Sequence, residues 1–250
     1  TRDEHFMELF EKTFSEIRSY TEKRSARLRF ATANGSSWPG GGGRNVVLSD
    51  EMAVELGNPQ MASASTLVWT ENPDLVRNGR ITLIGPDIQS SEGKSLPFGK
   101  IVLSGVKGIN EDNTYERYKE IEAVRYSIDL KGYMIRAVSQ YQREWSRVSR
   151  DALQNGFSFE VLGSALCNEY MKKDYVGAVE FIFVTSSPED VNELKEITKN
   201  VSRTINAMDK MFQEMESDCE ECEYNDVCDD VVALKRMKKA RDQKRRDAHG

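Results

Sequence analysis

The stretch Val179-Glu-Phe-Ile-Phe-Val-Thr-Ser-Ser-Pro-Glu-Asp190 decides the fold, because it joins the clearest strand of the chain to the start of a long helix. The segment Val179–Thr185, apolar except for Glu180 and Thr185, is typical of a buried strand. The next residues, Ser187-Pro-Glu-Asp190, supply a helix cap, a first-turn proline and negative charge at the positive end of a helix. We therefore expect a strand that leads directly into a helix ending near Glu216.

Apolar side chains follow one face of this helix at alternating spacings of three and four residues, which is a heptad seam. The seam packs either against the chain's own sheet or against a partner helix, and the sequence favours the first arrangement. Its members are Val191, Leu194, Thr198, Val201, Ile205, Met208, Phe212 and Met215.

Three of the four cysteines lie in the segment that follows, Cys219-Glu-Glu-Cys222-Glu-Tyr-Asn-Asp-Val-Cys228. Thiols ionise poorly among carboxylates, but a bound cation reverses that balance because a coordinating thiol is deprotonated. We predict an iron–sulfur cluster, of the 4Fe-4S type, on Cys219, Cys222 and Cys228, with a fourth ligand from elsewhere. The surrounding negative charge predicts a low reduction potential for such a cluster.

Two alternatives stay open for this cysteine segment. Zinc usually takes four nitrogen or sulfur ligands, whereas only one CxxC pair is present and the two histidines, His5 and His249, lie at the chain ends. A disulfide would leave the third cysteine over. The remaining cysteine, Cys167, lies on an apolar helix face and is expected in the core. The cluster therefore has two equal competitors, zinc that merely pins the tail and a segment without any metal.

The two ends of the chain are predicted to be helical and to bind partners. Residues 3–29 read as an amphipathic helix, which either docks on its own domain or serves as an arm for a partner. A glycine-rich linker separates it from the rest. The basic tail Lys235–Arg246 could dock an acidic partner such as a ferredoxin-like protein. We expect a larger protein complex or a homo-oligomer formed through these terminal helices.

Composition excludes several classes of function. The formal net charge of −6 makes nucleic-acid binding unlikely, because such binding depends on positive charge. No apolar run approaches the roughly 20 residues that a membrane helix needs. Four cysteines without an export signal predict a cytoplasmic protein.

Between the ends we expect an α+β domain with a mixed sheet and packed helices. Strands are predicted at Val46–Leu48, Thr66–Trp69, Arg80–Ile84 and Lys100–Ser104, and Asn78-Gly79 indicates a hairpin turn. Helices are predicted over residues 111–142, continuing through Tyr133 to Tyr141, and over residues 161–172. The domain boundaries are a helical arm at 1–33, a linker at 34–44, the α+β domain at 45–216 and a cysteine-bearing helical tail at 217–250.

Four strings within this domain stand out by their order and spacing: Val54-Glu-Leu-Gly57, Asn78-Gly-Arg-Ile-Thr-Leu-Ile-Gly-Pro-Asp-Ile88, Gly93-Lys-Ser-Leu-Pro-Phe-Gly99 and Trp145-Ser-Arg-Val-Ser-Arg-Asp-Ala-Leu-Gln-Asn-Gly-Phe157. Together they resemble the central domain of the acetyl-CoA synthase (beta) subunit of carbon monoxide dehydrogenase/acetyl-CoA synthase complexes. The resemblance covers roughly residues 45–216 and extends to a CxxC and a further cysteine after a long helix.

This resemblance implies a role for Trp145 in coenzyme A binding, with Arg147 and Arg150 at the basic positions that follow it. Arginine suits the phosphates of coenzyme A, and an indole can stack on adenine. The family's longer cysteine loop, its fourth cluster cysteine and its nickel-binding Cys-Gly-Cys have no counterpart in this sequence. We therefore expect no acetyl-CoA synthesis by this chain alone.

Three alternative functions follow from these features. The first is an acetyl-CoA synthase-like accessory subunit that carries an iron–sulfur cluster for electron transfer or assembly. The second is an enzyme subunit that binds coenzyme A or an acyl-thioester around Trp145. A zinc-pinned interaction module is the third alternative.

Overall fold

The computed structural model describes residues 4–35, 38–42, 52–90, 93–109, 113–139, 143–213, 222–230, 234 and 239. The α-helices are α1 (Glu4–Glu22), α2 (Thr114–Ala123), α3 (Arg150–Gln154), α4 (Phe159–Tyr170), α5 (Pro188–Gln213) and α6 (Asn225–Asp230). The strands are β1 (Leu28–Thr32), β2 (Ala53–Leu56), β3 (Ser63–Thr70), β4 (Arg80–Ile84), β5 (Ser95–Leu96), β6 (Phe98–Val106), β7 (Tyr133–Ser139), β8 (Arg143–Ser149) and β9 (Val176–Val184).

Five strands form a mixed sheet in the order β1-β4-β9-β6-β3. Strand β9 lies at its centre, parallel to β4 and antiparallel to β6. Helix α4 covers one face, where Gly163 lies against Ile81, the register partner of Phe181. Helix α5 covers the other face, where Leu194 approaches Gly99, the partner of Val184. A strand buried on both faces does not need alternating polar residues, which explains the unbroken apolar residues from Phe181 to Val184.

A second sheet has the order β5-β2-β8-β7. Its strand β8 alternates, with Glu144, Ser146 and Val148 turned toward the main sheet and Trp145 and Arg147 on the opposite face. Where β2 ends, Gly57 adopts a positive φ of 63°. A Cβ there would lie 2.6 Å from the carbonyl oxygen of Glu144, so only glycine allows this close approach of β2 and β8.

The α+β class with a mixed sheet is confirmed, and the predicted strands at Thr66–Trp69, Arg80–Ile84 and Lys100–Ser104 lie inside β3, β4 and β6. The strand predicted at Val46–Leu48 lies outside the described residues. The predicted helix that follows Ser187 is also present, and the hydroxyl of Ser187 accepts the backbone N–H of Asp190 at 3.2 Å.

Two secondary-structure predictions are wrong. Tyr133 does not continue a helix; it begins β7, which pairs with β8. The apolar spacing from Tyr133 onward fits both a helix and a strand, and pairing with β8 makes the segment a strand. Asn78-Gly79 makes a turn with Gly79 at a φ of 74°, but it closes no hairpin. Strand β3 pairs in parallel with β6, and β4 pairs with β1 and β9.

The N-terminal helix packs on the chain's own sheet and on α5. Phe10 lies 4.4 Å from Trp69 between ring centroids, and Phe14 and Ile17 are also buried. The helix ends at Glu22, and the last residues of the segment predicted to be helical start β1 instead. Within the described residues, no helix combines the length and the apolar content that a membrane crossing requires.

The end of α5 and the cysteine segment form a small cluster of their own. Buried residues of this cluster are Ala207, Met208, Tyr224, Val227, Cys228 and Leu234, whereas the main core contains the rest of the seam on α5 up to Ile205. The seam therefore packs within this chain, as favoured from the sequence; Phe212 and Met215 lie outside the described side chains.

Candidate functional site

Trp145 lies in the middle of β8, on the face of the small sheet that points away from the main sheet. Its indole is half-buried. Its Nε1–H donates to the carboxylate of Glu55 on the neighbouring strand β2. This hydrogen bond fixes the orientation of the ring, so that the indole stands as a pre-set aromatic surface.

Two arginines flank the indole. The guanidinium of Arg147 is buried and forms an ion pair with the same Glu55 carboxylate, and its central carbon lies 5.7 Å from the Trp145 ring centroid. The guanidinium of Arg136 lies 5.1 Å from that centroid and is exposed. A bulge between Ile135 and Ala137 places Arg136 beside the ring. Cation–π contacts at such distances hold arginine over indole.

The third residue expected here, Arg150, begins α3 at the end of β8. It is half-buried, and its side chain has no hydrogen bond or ion pair within the part of the chain that the structure describes. The structure thus brings Trp145 and Arg147 together, leaves Arg150 at the margin, and adds Glu55 and Arg136. Glu55 and Arg136 reach the site through strand pairing, which cannot be derived from the spacing of residues in the sequence.

Behind this sheet lies a buried charged network centred on Glu144. The ammonium of Lys100 donates to its carboxylate, Ser65 donates at 3.1 Å, and Arg125 Nη1 lies 3.7 Å away. Burial by itself would raise the pKa of Glu144, but Lys100 and Arg125 outweigh that effect and hold the pKa below its ordinary value. Ser146 adds a further hydrogen bond at 3.4 Å. The network ties β3, β6 and β8 together.

A cleft of about 520 Å³ lies above this network, between α2, the second half of α5 and the cysteine segment. Ser65 and Arg125 line it and connect it to Glu144. Lys119, also in the lining, lies 3.3 Å from both Glu122 and Asp209. Because these charged groups pair with each other, the cleft offers a polar surface without a strong excess of either charge.

Residues 41–191 match a family model described as the CO dehydrogenase/acetyl-CoA synthase complex beta subunit. The chain belongs to this family. The matched segment contains both sheets except β1, and with them Glu55, Arg136, Trp145 and Arg147. The resemblance drawn from the four strings is therefore confirmed.

Three relatives with related names align with this chain at modest identity. The acetyl-CoA decarbonylase/synthase complex subunit beta of Methanopyrus kandleri is 30% identical over 158 residues, 62% of this chain and 32% of the relative. The subunit beta 1 of Methanosarcina thermophila is 26% identical over 174 residues, 69% and 36%. The carbon monoxide dehydrogenase/acetyl-CoA synthase subunit alpha of Moorella thermoacetica is 30% identical over 152 residues, 60% and 20%. The chain thus aligns with about a third or less of each of these relatives.

The cysteine segment lies beyond the matched part of the beta-subunit family model. Cys219 falls outside the described residues. Cys228 is buried and Cys222 packs beside it in the small cluster at the end of α5. The guanidinium of Arg203 on α5 binds Asp226 at 2.8 Å and so anchors the segment. Within the described ranges, no group of three histidine, cysteine or acidic side chains is arranged to hold a metal ion.

Cys167 occupies the place that its helix face predicted. The thiol lies on α4 in the main core, 3% exposed, and burial raises its pKa to about 12. A thiol with such a pKa stays protonated near neutral pH and is a poor metal ligand or nucleophile. Cys167 therefore belongs to the packing of this family domain.

Proposed function

We propose that this chain is a coenzyme A-binding or acyl-thioester-binding module of a carbon monoxide dehydrogenase/acetyl-CoA synthase type of complex. The observation that supports it is the indole of Trp145, held in place by Glu55 and flanked by the exposed Arg136, inside the segment that matches the beta-subunit family. The names of the relatives supply the substrate class, acetyl-CoA, and the setting in a multi-subunit complex.

Each residue of this site has a separate role in binding coenzyme A. The indole offers an aromatic face on which adenine can stack. Arg136 is exposed and can pair with phosphate oxygens, for which a guanidinium has a matching geometry. Arg147 is already neutralised by Glu55, so we assign it a positioning role: it and Glu55 keep the ring in place. Bound coenzyme A would supply the thiol or thioester; the chain's own residues hold its nucleotide end.

Tryptophan fluorescence tests this proposal directly. Coenzyme A added to the purified chain is expected to change the emission saturably, and Trp145→Phe should abolish the change while Trp38 and Trp69 still emit. Arg136→Ala should weaken binding about tenfold, the equivalent of about 1.4 kcal/mol. Arg29→Ala, which removes an exposed arginine of β1 in the other sheet, serves as the matched control. No response of the unaltered chain at millimolar coenzyme A would contradict the proposal.

A second proposal concerns the cysteine segment. We propose an iron–sulfur cluster, of the 4Fe-4S type, on Cys219, Cys222 and Cys228, with a fourth ligand from a partner, a small molecule or a second copy. It would serve electron transfer or assembly within a larger complex, with a ferredoxin-like protein as a candidate partner. In its favour, Cys222 and Cys228 share one cluster of side chains, shielded by Met208 and Tyr224. Zinc in the same place would make the segment structural.

Metal analysis separates the two cofactors. Protein purified without oxygen is expected to contain iron and acid-labile sulfide in equal amounts and to give a reduced-cluster EPR signal with dithionite. Cys222→Ser should remove that signal and leave the coenzyme A response intact, because Trp145 lies on β8, outside the small cluster that contains Cys222 and Cys228. Stoichiometric zinc without iron would contradict the iron–sulfur proposal and would favour a zinc-pinned interaction module.

A further inference from the structure

An open pocket of about 450 Å³ lies at the β1 edge of the five-stranded sheet, whereas Trp145 lies in the four-stranded sheet. Phe30 and Thr32 of β1 line it together with Arg77 and Asn78, which precede β4, and Arg80, the first residue of β4. Thr32 and Arg80 are register partners, so Phe30, Thr32 and Arg80 share one face of the two strands. The pocket is thus built by strand pairing and by the Asn78-Gly79 turn.

Positive charge exceeds negative charge at this pocket. The buried carboxylate of Glu180 accepts two hydrogen bonds of 2.6 Å from Arg18 and one of 2.9 Å from the backbone N–H of Arg77. The side chains of Arg77 and Arg80 form no hydrogen bond or ion pair with any residue that the structure describes. Among the described residues, the pocket lining therefore contains two guanidinium groups and no carboxylate. Burial and the like charges of Arg77 and Arg18 lower the pKa of Arg80, which a bound anion would relieve.

Phe30 gives the pocket an aromatic surface. Its side chain is 53% exposed, although it belongs to a strand of the main sheet. The guanidinium carbon of Arg80 lies 3.8 Å from its ring centroid, so one face of the ring is covered by a cation and the remainder stays open. An exposed ring beside arginines is the combination with which proteins stack a base and hold its phosphates.

We infer that this pocket binds a nucleoside diphosphate, with the base against Phe30 and the phosphates on Arg77 and Arg80. Its volume falls in the range of small-ligand sites, roughly 300 to 1,000 Å³. A guanidinium pairs with phosphate oxygens through two parallel hydrogen bonds, and two such groups side by side suit a diphosphate. The inference stands independently of the proposed coenzyme A site, which uses the other sheet.

Calorimetric titration of the purified chain with ADP tests the inference. ADP is expected to bind, pyrophosphate to bind about tenfold more weakly because it lacks a base to stack, and adenosine to bind about tenfold more weakly because it lacks the charge. Arg77→Ala/Arg80→Ala should weaken ADP binding at least about tenfold, and Phe30→Leu about fivefold. Arg29→Ala, an exposed arginine of β1 outside the lining, is the matched control and should leave it within about twofold.

The outcome is separable from that of the coenzyme A proposal. ADP binding that survives Arg77→Ala/Arg80→Ala and disappears in Arg136→Ala would overturn this inference while supporting the site at Trp145. Equal affinity for ADP and pyrophosphate would overturn the role of Phe30, and no heat with millimolar ADP would overturn the site altogether. The charge-retaining variant Arg77→Lys/Arg80→Lys guards against misfolding, because it should keep the fold and bind ADP more weakly than the unaltered chain.

Discussion

At the scale of single residues, Glu144 connects the two sheets. Its carboxylate is fully buried on β8, yet it meets Lys100 of β6, Ser65 of β3 and the guanidinium of Arg125. A buried carboxylate costs several kcal/mol to desolvate, and such a charge persists only where opposite charges and hydrogen-bond donors surround it. The pair Lys100–Glu144 therefore fixes how the small sheet, with Trp145 on its other face, sits on the main sheet.

Lys100→Met is expected to destabilise the chain by about 3 to 5 kcal/mol, because it leaves Glu144 buried with a weaker partner. Lys100→Met/Glu144→Gln should recover part of that loss, since the neutral amide keeps its hydrogen-bonding groups without an uncompensated charge. Urea unfolding measures both variants. Lys199→Ala removes an exposed pair with Glu196 and should cost less than about 1 kcal/mol. If the double variant were less stable than the single one, the network would not depend on charge compensation.

At the scale of elements, α1 is tied to the start of α5. The guanidinium of Arg24 donates to Asp190 at 2.8 Å and to Glu193 at 2.6 Å, and the hydroxyl of Tyr20 donates to the carbonyl oxygen of Asp190. Asp190 also lies in the first turn of α5, where the positive end of the helix favours a carboxylate. These contacts explain why an amphipathic N-terminal helix docks on its own chain.

The docking of α1 should weaken in acid. Burial tends to raise the pKa of Asp190, but hydrogen bonds from Ser186 and Arg24 and the charges of Arg24 and Arg27 hold it below its ordinary value. The unfolded chain, with an aspartate pKa of about 3.9, then takes up the proton first as the pH falls. This contribution is fully present above about pH 5 and is lost as the pH falls through the folded-state pKa.

Asp190→Asn should accordingly flatten the decrease of unfolding free energy between about pH 5 and pH 3. Urea unfolding at several pH values measures this slope, and hydrogen exchange of α1 reports whether the helix detaches. Asp151→Asn is the control, because it removes an acidic residue from the first turn of another helix, the short α3. An unchanged slope in Asp190→Asn would mean that other carboxylates govern the acid response.

The elements also show how far sequence reasoning reaches. Local sequence predicts the buried strands β4, β6 and β9 from their apolar residues. It also predicts the start of α5 from the capping residues. Strand β7 was not, because its extended form depends on pairing with β8. The same holds at the site: Trp145 and Arg147 follow from a resemblance in sequence, whereas Glu55 and Arg136 reach them only through strand register and a bulge.

At the scale of the whole molecule, two clusters of buried side chains divide the described chain. The main core includes both sheets, α1, α4 and most of α5, and it contains the segment that defines the beta-subunit family. The small cluster joins the last turns of α5 to the cysteine segment. Stability is not uniform across such an arrangement, since a small satellite cluster opens at lower free energy than a continuous core. Binding at Trp145 and cofactor chemistry at the cysteines should therefore be separable.

A chain that ends at Gln213 is expected to keep one cooperative thermal transition and the fluorescence response to coenzyme A. Its melting temperature should fall by about 2 to 12 °C, because the loss exposes Met208 and its neighbours, worth about 1 to 3 kcal/mol, and 1 kcal/mol corresponds to about 2 to 4 °C at this size. Arg203→Ala, which releases Asp226 without shortening the chain, should shift the transition less. Loss of the cooperative transition on truncation would show that the main core needs the cysteine segment. Coenzyme A binding at Trp145 could then not be separated from the cysteine segment.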